Sequence, residues 1–400
     1  MYTPKHNWVL FAIFSIFSIS VFITSLLSPQ VRSYTQAPLR DLILPPPSPI
    51  ELNIVYSTEK EQWIADAVER FNKQNNLVNG HPVQINLSET GSREMYIAIL
   101  DGNSKPVMIS PASSLQINIL DQLSRVKFGT SIIPTDRQGQ CESVFSTPLV
   151  VAAWSDRAEA LLGNRYTANI WKQIHDAEID PQGWQTQGHP EWGYFKFGHT
   201  DPLKSNSGFM TLLLLTYSYY GKTSGLSESD ILANPDYQAW ILEMENAISS
   251  FGDSTGTYMK EIIAYGPSMY DMVSVYEATA IENLQNAAGR YGELKIYYPP
   301  ATILSDHPFC ILKADWVSKE QAQAAKLFLD FLLSPEIQTL ALEKYGFRPA
   351  DSSIALDSAT SPLQLYSKNG VQIKIPPEVE IPDGNTLNTL LDFWARNVQQ

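Results

Sequence analysis

The feature that most constrains the fold is a threefold alternation of strand and helix signals between residues 51 and 123, with a hydroxyl residue at each strand end. Leu52-Asn-Ile-Val-Tyr56 reads as a strand and stops at Ser57-Thr58. Trp63, Ile64, Ala67, Val68 and Phe71 then recur at helical spacing. Val83, Ile85 and Leu87 alternate as a second strand, and Glu89-Thr90-Gly91-Ser92 leads into a helix through Met95 and Ile99. Pro106-Val-Met-Ile-Ser110 is a third strand, followed by Ser113-Ser114 and a helix through Leu115, Ile119 and Leu123. This β-α-β-α-β order predicts a parallel sheet with right-handed crossovers. Ligands of open α/β sheets bind at the C-terminal strand edge, so these polar junctions are candidate ligand contacts.

The same device returns at Lys196-Phe-Lys-Phe-Gly-His-Thr-Asp-Pro-Leu-Lys-Ser-Asn-Ser-Gly208, which runs into Phe209-Met-Thr-Leu-Leu-Leu-Leu215. A helix start carries unpaired backbone N–H groups and partial positive charge, which suit an anionic group. Ser205, Asn206 and Ser207 are expected at such a start, with Gly208 letting a ligand approach closely. The plainer reading is that one of these serines only caps the helix.

Phe145-Ser-Thr-Pro-Leu-Val-Val-Ala-Ala-Trp154 is a long strand pattern able to carry the chain into a second lobe. The helix after Gly208 is apolar on nearly every face and reads as buried. Asp271 to Glu277 reads as a strand with a carboxylate at its end, and Tyr297-Tyr-Pro-Pro300 with Pro308-Phe-Cys-Ile-Leu312 as the return crossing. Ser318 and Gln321 form a capping box before Ala322–Leu333. Ser334-Pro335 is expected to cap the next helix, and Gly346 to stop it.

Trp8 to Ser28 is 21 residues without a charge, long enough to cross a bilayer as a helix. No small-x-small cleavage site follows, so the segment reads as an uncleaved signal anchor, with a long-cored cleavable signal as the alternative. Residues 29–50, with Leu44-Pro-Pro-Pro-Ser-Pro49, read as a stiff tether. This places a single-pass protein in the plasma membrane, with its folded part on the extracytoplasmic (periplasmic) side.

About 350 residues remain, enough for two lobes. With 28 Lys+Arg against 42 Asp+Glu the formal net charge is −14. That balance argues against nucleic acid and against adhesion to an anionic lipid surface, but not against an anionic ligand in a local pocket. The two cysteines, Cys141 and Cys310, lie beside the expected crossing strands, and in an exported chain they suggest one disulfide.

The chain resembles extracellular solute-binding proteins of the type II periplasmic-binding-protein fold, in the group that includes molybdate-binding proteins. The resemblance rests on Thr90-Gly91-Ser92, Thr200-Asp201-Pro202 with Ser205 to Gly208, Val275-Tyr276-Glu277, and Ala325 to Gln338 with Lys344-Tyr-Gly-Phe-Arg-Pro349. It implies an α/β fold of two lobes, each a mainly parallel sheet flanked by helices. The first lobe would comprise residues 51–145 and 306–400, and the second 146–305. It also implies a small solute held between the lobes and passed to an ABC permease; the loop hydroxyls are consistent with an oxyanion, whereas Glu277 in the cleft would favour a ligand bearing an amine or a metal. The implied ligand-binding residues are Ser57, Thr58, Gly91, Ser92, Ser110, Ser113, Thr147, Ser205, Asn206, Ser207, Tyr276 and Glu277. The N-terminal run and the extension 351–400 depart from the family pattern.

No catalytic residue and no cofactor are expected. There is no G-x-S-x-G elbow and no H-E-x-x-H. Gly221-Lys222-Thr223 mimics the end of a P-loop, but Thr216 stands where the earlier glycine is required. His189, His199 and Asp201 are the residues a metal would need, although six histidines scattered through the chain make a weak case and no metal site is expected. A membrane-anchored sensor or assembly factor using the same fold is the alternative function, and a metal-dependent hydrolase comes third.

Overall fold

The computed structural model describes residues 7–27, 47–163 and 168–398. Twelve strands lie among them: β1 (Ile50–Ser57), β2 (Leu77–Val78), β3 (His81–Thr90), β4 (Met108–Ser110), β5 (Cys141–Ser143), β6 (Phe145–Trp154), β7 (Phe197–Gly198), β8 (Met272–Tyr276), β9 (Leu294–Tyr297), β10 (Leu304–Ser305), β11 (Pro308–Ile311) and β12 (Arg348–Pro349). They form two sheets, one per lobe.

The first sheet has the order β2-β3-β1-β4-β11-β5, and its centre is the expected parallel unit of β1 with β3 and β4. In register, Ser57 stands beside Thr90 and Tyr56 beside Ser110, so the polar strand ends line up along one edge. Trp63, Ile64, Ala67, Val68 and Phe71 are the buried stripe of the helix Glu61–Lys73. They pack with Phe309 and Phe328, and Trp63 meets Phe145 edge to face at 4.6 Å.

The second sheet is not mainly parallel. Only β7 and β8 run parallel, while β6 pairs antiparallel with β8, β9, β10 and β12. The reason is topological: β6 carries the chain out of the first lobe, and the segments that pair with it run back. All but one residue of β6 are buried, as its continuous apolar run requires. Against this sheet packs the helix Asn206–Tyr220, whose residues from Asn206 to Tyr217 are all buried.

The extension after 350 joins the second lobe, which corrects its expected place in the first. Thr302 N–H donates to the Pro377 carbonyl and Val379 N–H to the Thr302 carbonyl, both at 2.9 Å. Ile354, Leu356 and Ile373 cover the cluster around Val150 and Tyr258. The helix Gly384–Asn397 buries Leu387, Leu390, Leu391 and Trp394. The capping box at Ser318 and Gln321 is present, whereas the Ser334 hydroxyl donates back to the Phe331 carbonyl instead of capping the next helix.

The N-terminal segment Asn7–Leu27 is a 21-residue helix without acidic or basic residues in its end turns. Its large apolar side chains from Trp8 to Ile23 stand exposed. Among the described residues no helix is long and apolar enough to cross a membrane. Most of the expected tether lies outside the described residues.

Cys141 and Cys310 form a disulfide between directly paired residues of β5 and β11. The two cysteines are 169 residues apart, and the intervening chain includes β6 to β10, the main body of the second lobe. The bridge therefore fastens both ends of that excursion to the first sheet. Replacing both cysteines by serine is expected to lower stability by about 2–4 kcal/mol, chiefly by freeing the unfolded chain. A denaturant midpoint equal to that of the oxidised wild type would refute this.

Candidate ligand-binding cleft

Four helical segments start where the two lobes meet. In the first lobe β1 ends at Ser57 and turns through Thr58–Lys60 into the helix Glu61–Lys73, and Ser92–Leu100 starts behind Gly91. In the second lobe Asn206–Tyr220 starts behind Ser205, and Thr255–Tyr265 behind Ser254. None of Ser57, Gly91, Ser205 and Ser254 caps its segment with a side chain. First-turn N–H groups are thus left without caps, and each start carries partial positive charge.

Between these starts lies a narrow cavity of about 10 Å³. Ser57 to Glu59, Gly91 and Ser92 line one side, Ser205, Asn206, Ser254 and Thr255 the other, with Ala112 and Tyr276 between. The lobes touch across it where Gln116 Nε2 donates to Asn206 Oδ1 at 2.8 Å; within the second lobe Asn206 Nδ2 donates to the Tyr276 hydroxyl at 3.0 Å. A side chain at Gly91 would come within 2.9 Å of the Lys204 carbonyl. Glycine is required there by the approach of the opposite lobe.

Glu59 is the one carboxylate among the described lining residues, and it is answered from beneath. Lys60 is fully buried; its Nζ donates to Glu59 Oε1 and to the Ser110 carbonyl, each at 3.0 Å, and to the Ser57 hydroxyl. His307 Nδ1 lies 3.3 Å from the same carboxylate oxygen. Burial would push Glu59 up, but Lys60 and His307 outweigh it and hold the carboxyl below its usual range. Burial and the neighbouring ammonium pull His307 down, so it stays neutral there. Glu59 and Lys60 together leave no net charge under the cavity floor.

In the second lobe Ser207 is fully buried, and its hydroxyl joins Thr200 Oγ1 at 2.7 Å and Thr255 Oγ1 at 2.6 Å. It ties the two helix starts together from behind and does not line the cavity. Gly208 has a different reason from the expected ligand approach. A side chain there would meet the Thr200 carbonyl at 1.9 Å, so the backbone of the chain itself occupies that space.

Of the twelve expected ligand contacts, the structure brings Ser57, Thr58, Gly91, Ser92, Ser205, Asn206 and Tyr276 to one cavity. The others lie elsewhere. Ser113 caps its helix by accepting from Leu115 N–H at 3.2 Å, and Thr147 accepts from Ala278 N–H at 3.0 Å. Ser110 offers its carbonyl to Lys60, while its hydroxyl is buried without a partner. Glu277 is fully buried and held by Arg348 through Nε at 2.8 Å and Nη2 at 2.7 Å, with the Tyr298 hydroxyl as a third donor. Its carboxylate is thus spent on an ion pair inside the protein. Ser254 and Thr255 were not anticipated, although Gly252-Asp-Ser-Thr-Gly256 has the same polar, glycine-flanked make-up as the other starts. Glu59 and Lys60 give no such signal, because adjacent charges usually mark a solvated surface.

His199 and Asp201, weighed above as metal ligands, have other partners. His199 Nδ1 points to the Thr200 carbonyl at 2.8 Å and Nε2 to Glu245 Oε1 at 3.1 Å. Glu245 also accepts from Trp394 Nε1 at 2.6 Å. Both acceptors on the ring require a proton on each nitrogen, so His199 is an imidazolium. Asp201 accepts from Leu203 N–H at 2.7 Å, and His189 stacks on Trp192. Among the described residues no group of His, Cys, Asp and Glu has the arrangement of a metal site.

This architecture, two α/β lobes with a cleft of helix starts between them, is that of periplasmic binding proteins. The sulfate-binding protein SubI from Mycobacterium tuberculosis H37Rv superposes with a TM-score of 0.54 at 17% identity, over 86% of this chain and 96% of that one. The binding protein AfuA from Actinobacillus pleuropneumoniae, with exogenous fructose-6-phosphate bound, gives 0.56 at 13% identity, over 87% and 98%. A periplasmic thiamin-binding protein gives 0.61 at 12% identity, over 88% and 97%. Identities this low establish the fold alone. No curated relative matches at the level of sequence. Residues 52–348 match the family described as bacterial extracellular solute-binding protein, and the chain belongs to that family.

Burial alone would pull His199 down, but Glu245 and the hydrogen bonds on both nitrogens hold it above its ordinary 6.5. A raised folded-state value means the stabilisation is complete below pH 6.5 and is lost as pH rises through the folded-state value. Replacing His199→Gln together with Glu245→Gln removes both charges. Wild type is expected to lose stability relative to this variant by up to about 1.4 kcal/mol per pH unit over that window. Parallel stability-versus-pH curves for the two proteins would rule the imidazolium out.

Proposed function

We propose that the chain captures a small solute by an anionic group held at the four converging helix starts, and passes it to an ABC-type permease. The helix Asn7–Leu27 would anchor it to the plasma membrane, with the two lobes on the extracytoplasmic side. The observation that carries the reading is the cavity itself: two starts from each lobe, none capped by the residue before it, around a lining whose single carboxylate is neutralised by Lys60. Helix-terminal N–H groups and hydroxyls solvate an oxyanion without a buried counter-ion, whose desolvation is costly. The sulfate named for one structural neighbour and the fructose-6-phosphate of another are ligands with such a group, which supports the choice.

Phosphate, sulfate or molybdate, screened by thermal shift, is expected to stabilise the protein by about 2.7 kcal/mol at 100 times its dissociation constant. A Gly91→Val change should abolish that shift, because the new side chain meets the Lys204 carbonyl and holds the lobes apart. The reading fails if no oxyanion moves the melting temperature, or if the valine variant binds as wild type does. The anchor is tested separately by sequencing the N-terminus of membrane-fraction protein. A first residue beyond Ser28 would show that the segment is removed.

A further inference from the structure

A second cavity of about 90 Å³ adjoins the anion site. Thr58 and Glu59 line both. Gly256 lines the second cavity and packs against the turn at Thr58, an added Cβ standing 3.4 Å from the Thr58 carbonyl. The second cavity differs from the first in its ionised side chains. Thr279 is 2% exposed and lines it with a hydroxyl that has no hydrogen-bond partner, and the Thr58 hydroxyl is likewise unpartnered. Of its three carboxylates Glu59 is answered by Lys60, and the other two, Glu61 and Glu282, face one ammonium, Lys260. Lys260 Nζ sits 3.5 Å from Glu61 Oε2, across the lobe boundary. That leaves Glu282, half-buried and touched by the neutral amide of Gln62, without a matched charge.

We infer that this second cavity holds the rest of the solute, and that the solute is an anionic ester or acid bearing a short cationic arm. The inference rests on the anion reading above and gives it a substrate class. The anionic group sits at the helix starts, and the arm extends past the shared Thr58 and Glu59 to Glu282 and the Thr279 hydroxyl. An ammonium there supplies the charge that Glu282 lacks and gives Thr279 a donor. A carboxylate paired in this way is worth more half-buried than in water. Burial pushes Glu282 above its ordinary range in the protein alone, with Lys260 opposing, as expected of a carboxylate short of a cation.

The test compares phosphoethanolamine with ethyl phosphate, which has the same phosphate ester and nearly the same length but no amine. Both are titrated calorimetrically, alongside inorganic phosphate, into the full chain in detergent micelles. Phosphoethanolamine is expected to bind at least tenfold more tightly than ethyl phosphate. In Glu282→Gln, where Gln62 keeps a hydrogen-bond partner, the preference should shrink to within twofold while ethyl phosphate binds as before. That retained binding also reports that the variant is folded. Thr279→Val should reduce the preference several-fold by the same measure. Equal affinities for the two esters in wild type would overturn this inference and leave the anion reading standing. If neither ester nor inorganic phosphate binds, the anion reading falls and the inference falls with it.

Discussion

The cleft depends on the burial of Lys60. An ammonium removed from water is tolerated only when its charge and its donors are all answered. Here the answers come from different parts of the first lobe: the Glu59 carboxylate, the Ser57 hydroxyl at the end of β1 and the Ser110 carbonyl at the end of β4. His307, on the returning chain just before β11, closes on the same carboxylate. Shifting any one of these would strand a buried charge. The ends of β1 and β4 and the turn carrying Thr58 are thereby fixed relative to one another. Half of the ligand site is organised by the protein before a solute arrives, which spares the solute the entropy of ordering it.

The second half is organised from the far end of the chain. Trp394, in the last helix, donates to Glu245, which holds His199, which holds the Thr200 carbonyl, beside the hydroxyl contacts of Ser207 and Thr255. Residues after 350 are therefore part of the lobe's architecture. Arg348 shows the same economy. Its guanidinium clamps Glu277 and also reaches the carbonyls of Gln372 and Ile373, so one side chain ties the start of a second-lobe helix to the extension. Within Tyr345-Gly346-Phe347-Arg348-Pro349, Arg348 is accounted for by this buried ion pair.

What was legible in the sequence follows from how local each signal is. Strand, hydroxyl and helix start adjoin one another along the chain, so Ser57, Gly91 and Ser92 could be read as one edge, with Ser205 and Asn206 opposing it, before any fold was known. The capping box at Ser318 was legible for the same reason. Buried charge was not, because a Lys or Glu looks the same whether it is solvated or meets its partner far along the chain. Glu277 was read as a cleft carboxylate because its partner Arg348 lies 71 residues away. Ser113 and Thr147 were misread in the opposite sense: a helix cap and a ligand contact use the same residue type at the same place, and only geometry separates them. The antiparallel pairings of β6 were hidden because each partner is a short strand, two to five residues, that carries little pattern of its own.

The contacts that join the lobes bear on how the cleft works. Apart from the strands that cross, they include one amide pair, Gln116 with Asn206, and one exposed ion pair, Lys260 with Glu61, whose side chains keep 64% and 48% of their exposure. Exposed pairs contribute little, because solvent screens them and two long side chains must be ordered to form them. The Gln62 amide, donating to Glu282, is a further contact between the lobes. A solute shifts an equilibrium between two lobe arrangements only by the difference in its affinity for them. On the function proposed above, the four helix starts would supply that difference, since two belong to each lobe.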